Sequence, residues 1–218
     1  MKRLAIIRKN VLMLLVIAAF SFTFQSCNDD PKVSSDVLDL LPEEFYQELV
    51  DNGFIFNFGE NPPTVENIYD FEPINEYDNS GVFTPGSSAL LTKLKLENQV
   101  GNSLDVLIKN WTGFGEVDSS DATIIKGEGS KFTIVAQARG SVGSVTYKYD
   151  YAFTGELVSG GIKNAQFAFV MIDNPGASGV ATTGTIRSFK EEDGLAEETS
   201  VFKLLENNEI KGNSMLTD

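Results

Sequence analysis

The chain has 218 residues, with a single cysteine, no histidine and a formal net charge of −14. Without histidine, Ser–His–Asp and Cys–His nucleophilic systems are excluded, and so are the usual zinc sites built from Cys and His ligands. The acidic balance excludes nucleic acid as a partner, because its phosphates would be repelled. An apolar content of 42% fits a folded domain rather than a disordered chain.

The N-terminus has the pattern of a secretion signal. Four basic residues within residues 2–9 precede an apolar run over residues 11–20, and the single cysteine, Cys27, follows shortly after. The run is too short to span a membrane, but it fits the apolar region of an export signal. The segment resembles the type II signal peptide of bacterial lipoproteins, which predicts removal of residues 1–26 and lipidation of Cys27. The alternative is an ordinary secreted protein with a free thiol.

Residues 27–34 are predicted to form the acylated cysteine and a polar tether. The resemblance implies a cell-envelope location, with the chain attached to the outer membrane through the lipid on Cys27. Asn28, Asp29 and Asp30 directly follow the cysteine and resemble an export signal for the outer cell surface. The alternative is that these residues are simply a solvated tether.

A short helix is predicted at the start of the mature domain. Pro42 fits a first helical turn, Glu43 and Glu44 suit the positive end of the helix dipole, and Gly53 fits the position after the end. One face of this helix should dock on the rest of the domain.

Beyond Gly53 the pattern changes to the period of two that is typical of strands. The predicted strands cover residues 54–58, 65–71, 89–97, 104–111, 122–126, 131–139, 145–158, 163–171 and 183–189. Residues 72–87 and 113–120 are predicted to be loops. Residues 197–206 fit a helix or a last strand equally well.

Eight or nine short strands joined by tight turns predict a mainly β fold with antiparallel pairing. Such a sheet must protect its edges, either by closing into a barrel or by doubling into a β-sandwich. The succession of neighbouring hairpins favours an up-and-down meander, and hence a barrel. Residues 35–218 are therefore predicted to form a single β-barrel-like domain with an N-terminal helix.

Short segments of the mature chain are similar to a known group of proteins. They are residues 61–69, with the sequence NPPTVENIY, the tripeptide Arg187-Ser188-Phe189, and residues 193–197, with the sequence DGLAE. Together with the signal, they resemble small β-rich lipoproteins of gut-type Gram-negative bacteria, some of them described as lipocalin-like or calycin-like. The group has no established activity, so the resemblance implies a barrel-like fold and an envelope location, and no functional residues.

Four aromatic residues provide the candidate ligand-binding site. Tyr147, Tyr149 and Tyr151 alternate along one face of a predicted strand, and tyrosine offers a flat apolar ring with a hydroxyl group. Trp111, the only tryptophan, could stack on a sugar at a rim. The alternative for all four is that they belong to the core.

The carboxylates do not single out an active site. With 31 acidic residues, chance clustering is expected, and no pair has a spacing that indicates a glycosidase. Residues 118–121 could offer oxygen ligands to calcium, but a polar turn is the better interpretation. We therefore predict no enzyme, no metal and no cofactor.

Two functions remain open. The first is an envelope lipoprotein that binds a small apolar or saccharide ligand inside a barrel lined by the tyrosines. The second is a structural or accessory lipoprotein that contacts other envelope proteins. An open cavity at the tyrosines would favour ligand binding, whereas rings packed against Phe167 and Phe169 would favour the accessory role.

Overall fold

A computed structural model describes residues 33–110 and 117–202, which belong to a compact unit beginning at Val33. The helices are α1 (Ser35–Leu38) and α2 (Glu43–Asp51). The strands are β1 (Glu60–Asn61), β2 (Asn67–Phe71), β3 (Pro73–Asp78), β4 (Thr92–Val100), β5 (Ser103–Lys109), β6 (Val117–Glu128), β7 (Lys131–Val142), β8 (Val145–Val158), β9 (Gly161–Asp173), β10 (Ile186–Glu191) and β11 (Leu195–Thr199).

The eleven strands form one sheet, and eight of them close into a ring. Neighbours pair in the order β11-β2-β4-β5-β6-β7-β8-β9, and β11 also pairs with β9, which completes the ring. These pairings are antiparallel, as the tight turns predict, and β1 adds a short parallel pairing to β6. The mainly β, antiparallel fold is therefore confirmed, and the described strands belong to one continuous sheet rather than two separate ones.

Strands β10 and β3 extend the sheet beyond the ring. Strand β9 is long enough to pair with β11 near its start and with β10 over Gln166–Val170. Strand β3 pairs with β10 at the outer edge, inside the segment 72–87 that the sequence predicts to be a loop. Its few residues, with Pro73 at the start, give a weak alternation signal, and its partner lies more than 100 residues later in the chain.

The main hydrophobic core fills the interior of the ring. Alternate residues of each strand point inwards, so that Leu104, Val106 and Ile108 of β5 are all buried, as the period of two predicts. The tyrosines of β8 and the phenylalanines of β9 belong to the same buried cluster. The interior is therefore packed with large side chains.

A second, smaller core lies on the outer face of the sheet. Helix α2 buries Phe45 and Leu49 there, together with Val37 of α1 and Phe54, against outward-facing residues of β7 to β10. The helix begins at Glu43, directly after Pro42, and Gly53 follows it with a φ of 88°. The predicted N-terminal helix is confirmed.

Residues 54–58 alternate like a strand but are not paired with one. They cross the outer face of the sheet, where polar side chains bind their backbone: the Ile55 amide donates to Gln166 Oε1 at 2.9 Å, and the Asn57 amide donates to Thr133 Oγ1 at 2.7 Å. The residues alternate because one face of this segment packs on the sheet, so that Phe54 is buried and Ile55 is exposed.

Two predicted boundaries also need correction. Strand β6 starts at Val117 and runs through residues 118–121, which the sequence suggests are a polar turn. Strand β11 resolves the ambiguity at residues 197–206 in favour of a strand up to Thr199, because its residues pair with both β2 and β9.

Candidate functional site

The three candidate tyrosines lie in the first half of β8 and point into the ring. Tyr147, Tyr149 and Tyr151 are each 0% exposed. Tyr151 stacks on Phe167 of β9 at a centroid distance of 5.3 Å, and Tyr149 meets Phe169 edge-on at 6.2 Å. Packing of the tyrosine rings against Phe167 and Phe169 is the arrangement expected for the accessory function.

Small residues on β7 make room for the tyrosine rings. Gly140, Ala138 and Ala136 pair with Tyr147, Tyr149 and Tyr151, respectively. A bulky residue at any of these three positions would occupy the space inside the ring that the neighbouring phenol fills. The tyrosine hydroxyls can therefore reach across β7 towards β6.

The group that they reach is the carboxylate of Asp118, which is buried on β6. The Tyr147 hydroxyl lies 2.9 Å from Asp118 Oδ2, and the Tyr149 hydroxyl lies 2.9 Å from the same oxygen. Both phenols donate to the carboxylate, since an ionised carboxyl group can only accept. We call Asp118, Tyr147, Tyr149 and Tyr151 the polar cluster.

Electrostatics within the polar cluster keep the phenols protonated. Burial raises the pKa of Tyr149 well above its ordinary value, and the nearby charge of Asp118 raises it further. The same two causes, burial first, raise the pKa of Tyr151. Because the phenols stay neutral, they remain hydrogen-bond donors across the physiological pH range.

The Tyr151 hydroxyl differs from the other two. It is fully buried, yet it has no hydrogen-bond partner within the part of the chain that the structure describes. A buried polar atom without a partner costs about 1–3 kcal/mol. This hydroxyl is therefore the one member of the polar cluster with an unused capacity to bind.

Sequence reasoning singled out the tyrosines but not Asp118 as their partner. The sequence around Asp118 indicates a polar turn or, less well, a calcium site. A carboxylate placed at an inward position of a strand could have been recognised only with the strand boundary of β6, which the polar composition of residues 118–121 obscures.

Two predicted residues lie outside the described residues. Trp111 falls in the segment 111–116, and Cys27 precedes Val33. The ligand contact of Trp111 and the lipidation of Cys27 both remain predictions.

Asp150 is a buried acid on the opposite, outward face of β8. It is 6% exposed, and burial raises its pKa from 3.8 to about 6. As the pH rises from about 4 to 6, the unfolded chain releases this proton while the folded chain retains it. The contribution of this carboxyl group to stability is therefore most favourable below about pH 4, and it falls by about 2–3 kcal/mol as the pH rises through the folded pKa.

The variant Asp150→Asn tests this assignment. Because asparagine cannot ionise, we expect the variant to be more stable than the parent by about 2–3 kcal/mol above pH 7 and to lose that advantage near pH 4. Urea denaturation at several pH values measures the difference. The exposed residue Asp173, on β9, provides the control Asp173→Asn, and a parallel pH course for both variants would contradict the assignment.

Other features of the described chain give no second site of this kind. An open groove runs along α2 and is lined by Glu43, Glu44, Gln47, Glu48, Asp51 and Asn52. Within residues 33–110 and 117–202, no group of three or more His, Cys, Asp or Glu side chains is arranged to hold a metal ion. Over the same ranges, no helix has the length and apolar character needed to cross a bilayer.

Comparison with known proteins adds no relative: no family model, no curated protein and no solved structure matches the chain.

Proposed function

We propose that the chain is a lipid-anchored lipoprotein of the bacterial outer membrane, and that its ring is a lipocalin-like β-barrel with a filled interior. In this proposal the barrel is a non-catalytic accessory module that contacts other envelope proteins through its outer surface. The supporting observation is the complete burial of Tyr147, Tyr149 and Tyr151 against the phenylalanines of β9. A barrel filled by its own side chains has its outer surface left for contacts.

The proposed anchor rests on the position of Cys27 directly behind the export signal. Each methylene of a buried acyl chain contributes about 0.8 kcal/mol, so two or three chains hold a protein firmly on a membrane. Asn28, Asp29 and Asp30 support the further proposal that the protein faces the outside of the cell.

A small apolar or saccharide ligand is the second candidate function. It is favoured by the polar cluster, because buried polar groups in a core are costly and tend to mark functional sites. In this alternative, a hydroxyl of the ligand would meet the tyrosine hydroxyls inside the barrel.

The variant Cys27→Ser tests the proposed anchor and the accessory role together. We expect the parent to fractionate with the outer membrane and to incorporate labelled palmitate, and the variant to do neither. Chemical cross-linking in intact cells should give discrete adducts between the parent and envelope proteins, and the released variant should lose them.

The two parts of this proposal fail differently. Equal outer-membrane fractionation and equal palmitate incorporation of the variant and the parent would contradict lipidation at Cys27. Normal lipidation without any cross-linked protein adduct would contradict the accessory role. A co-purifying small molecule, detected by native mass spectrometry of the parent, would support the second candidate instead.

A further inference from the structure

A loop at the end of the ring where β9 stops packs on the same core cluster as the tyrosines. Residues 174–184 connect β9 to β10, and their buried members Ala177, Val180 and Ala181 belong to the same core cluster as the tyrosines. At its base, the Met171 amide donates to the Thr185 carbonyl at 2.9 Å. Met171 pairs with Tyr149 across the sheet, so the loop begins at the level of the polar cluster.

The loop is organised by one of its own side chains. Asn174 Nδ2 donates to the carbonyls of Ala177, Val180 and Ala181 at 3.3, 3.1 and 3.0 Å. Asn174 Oδ1 accepts from the amides of Gly176 and Ala177 at 3.1 and 2.7 Å. Asn174 therefore holds the loop in this conformation through hydrogen bonds to four of its residues.

Two glycines flank residues 177–183, the part of the loop that carries the three buried apolar side chains. Gly176 has a φ of 117° and Gly184 a φ of 89°, which are values that favour glycine. Such positions can absorb the backbone rotation of a hinge. Rotation at these glycines would separate residues 177–183 from Asn174 and take three apolar side chains out of the core.

The side chains of this part of the core determine which kind of ligand could bind once the loop has moved. Aromatic rings of β8 and β9 surround this part of the core, and the Tyr151 hydroxyl is a buried polar atom without a hydrogen-bond partner among the described residues. The nearby carboxylate of Asp118 would repel an anionic group. A neutral hydroxyl on an otherwise apolar molecule is the complementary ligand.

We propose that residues 174–184 form a lid that is closed in this structure, and that the Tyr151 hydroxyl is a subsite for the hydroxyl group of a small, mainly apolar ligand. The proposal rests on the second candidate function, ligand binding inside the ring, and names its subsite and its entrance; the accessory role concerns the outer surface and would survive its failure. It requires only that the lid opens without unfolding of the ring.

The matched probes phenol and toluene test the lid and the subsite separately. In the full chain carrying Cys27→Ser, the variant Asn174→Ala should loosen the lid and bind both molecules more tightly than the Cys27→Ser parent, as measured by calorimetric titration. Adding Tyr151→Phe should weaken phenol binding about fivefold and leave toluene binding within about twofold, because only phenol uses the hydroxyl. Tyr151→Phe by itself should not lower the melting temperature, since it removes an unpartnered group.

The control residue Asn98 is exposed at the irregular end of β4, where it donates to Asp105, and Asn98→Ala should leave the binding of both probes unchanged. The proposal is overturned if Asn174→Ala binds neither probe better than this control, or if Tyr151→Phe changes phenol and toluene equally. If Asn174→Ala does not fold, hydrogen exchange of the parent decides. Amides of Gly176 and Ala177 that exchange by local opening support the lid, whereas exchange only by global unfolding contradicts it.

Discussion

Replacing Asp78 by alanine is expected to lower the free energy of unfolding by about 3–5 kcal/mol, because it leaves the guanidinium of Arg187 without its carboxylate partner in the core. Both side chains are 0% exposed, and Asp78 Oδ2 lies 3.2 Å from Arg187 Nε. The guanidinium also lies 4.8 Å above the ring of Phe83. Urea denaturation at pH 7 measures the loss.

Asp78 also organises the turn after β3. Its carboxylate accepts hydrogen bonds from the amide and hydroxyl of Ser80 and from the amide of Phe83, at 2.9, 2.7 and 2.8 Å. Burial would raise the pKa of Asp78, but these donors and the charge of Arg187 together hold it below its ordinary value. The alanine variant therefore loses a charge partner and three turn contacts at once.

A surface ion pair provides the matched control. Arg139 and Asp121 form an ion pair with an Nη2–Oδ1 distance of 2.7 Å, but the arginine side chain is 57% exposed. Because water screens exposed charges, we expect Asp121→Ala to cost less than about 1 kcal/mol. Equal losses for Asp78→Ala and Asp121→Ala would show that the buried pair has no special role.

The variant Gly140→Ala is expected to destabilise the protein by about 2–3 kcal/mol, although it adds a single methyl group. A Cβ atom at this position would overlap the Asp118 carboxylate and the Tyr147 hydroxyl. Either the backbone of β7 must shift or the polar cluster must separate. Thermal denaturation followed by near-ultraviolet circular dichroism reports both stability and the tyrosine environment.

Gly129 separates the steric effect from the general effect of losing a glycine. It lies in the turn between β6 and β7 with a φ of 65°, and a Cβ there would meet no atom within 4 Å. Asparagine tolerates this conformation, so Gly129→Asn should change stability by less than about 1 kcal/mol. A loss for Gly140→Ala no larger than that of Gly129→Asn would mean that β7 can yield without cost.

Much of the fold follows from the periodicity of the sequence. The longest predicted strand, residues 145–158, coincides with β8, and its inward residues are those of the predicted aromatic face. Strand β7 buries Phe132 and Ile134 on the predicted side. Long strands with one apolar face are readable because every second residue repeats the same environment. Strand β3 and the start of β6 lack that repetition, and for this reason the sequence predicts loops there.

The candidate site could be predicted only in part. The row of tyrosines is visible as an alternation, but alternation reports burial and does not say whether the interior is open or filled. Asp118 lies 29 residues before Tyr147 and could not be linked to it by spacing. The contact depends on the register of β6 on β7 and of β7 on β8, which no local pattern specifies.

The sequence by itself determined the long strands β7, β8 and β9, the helix after Pro42 and the inward face of those strands, because these depend on the order of neighbouring residues. Only the tertiary structure decided that β11 pairs with both β2 and β9, that the tyrosine rings pack against β9, and that Arg187 meets Asp78 in the core. Those contacts join residues far apart in the chain, and their energies depend on packing and on exclusion of water once the ring has closed.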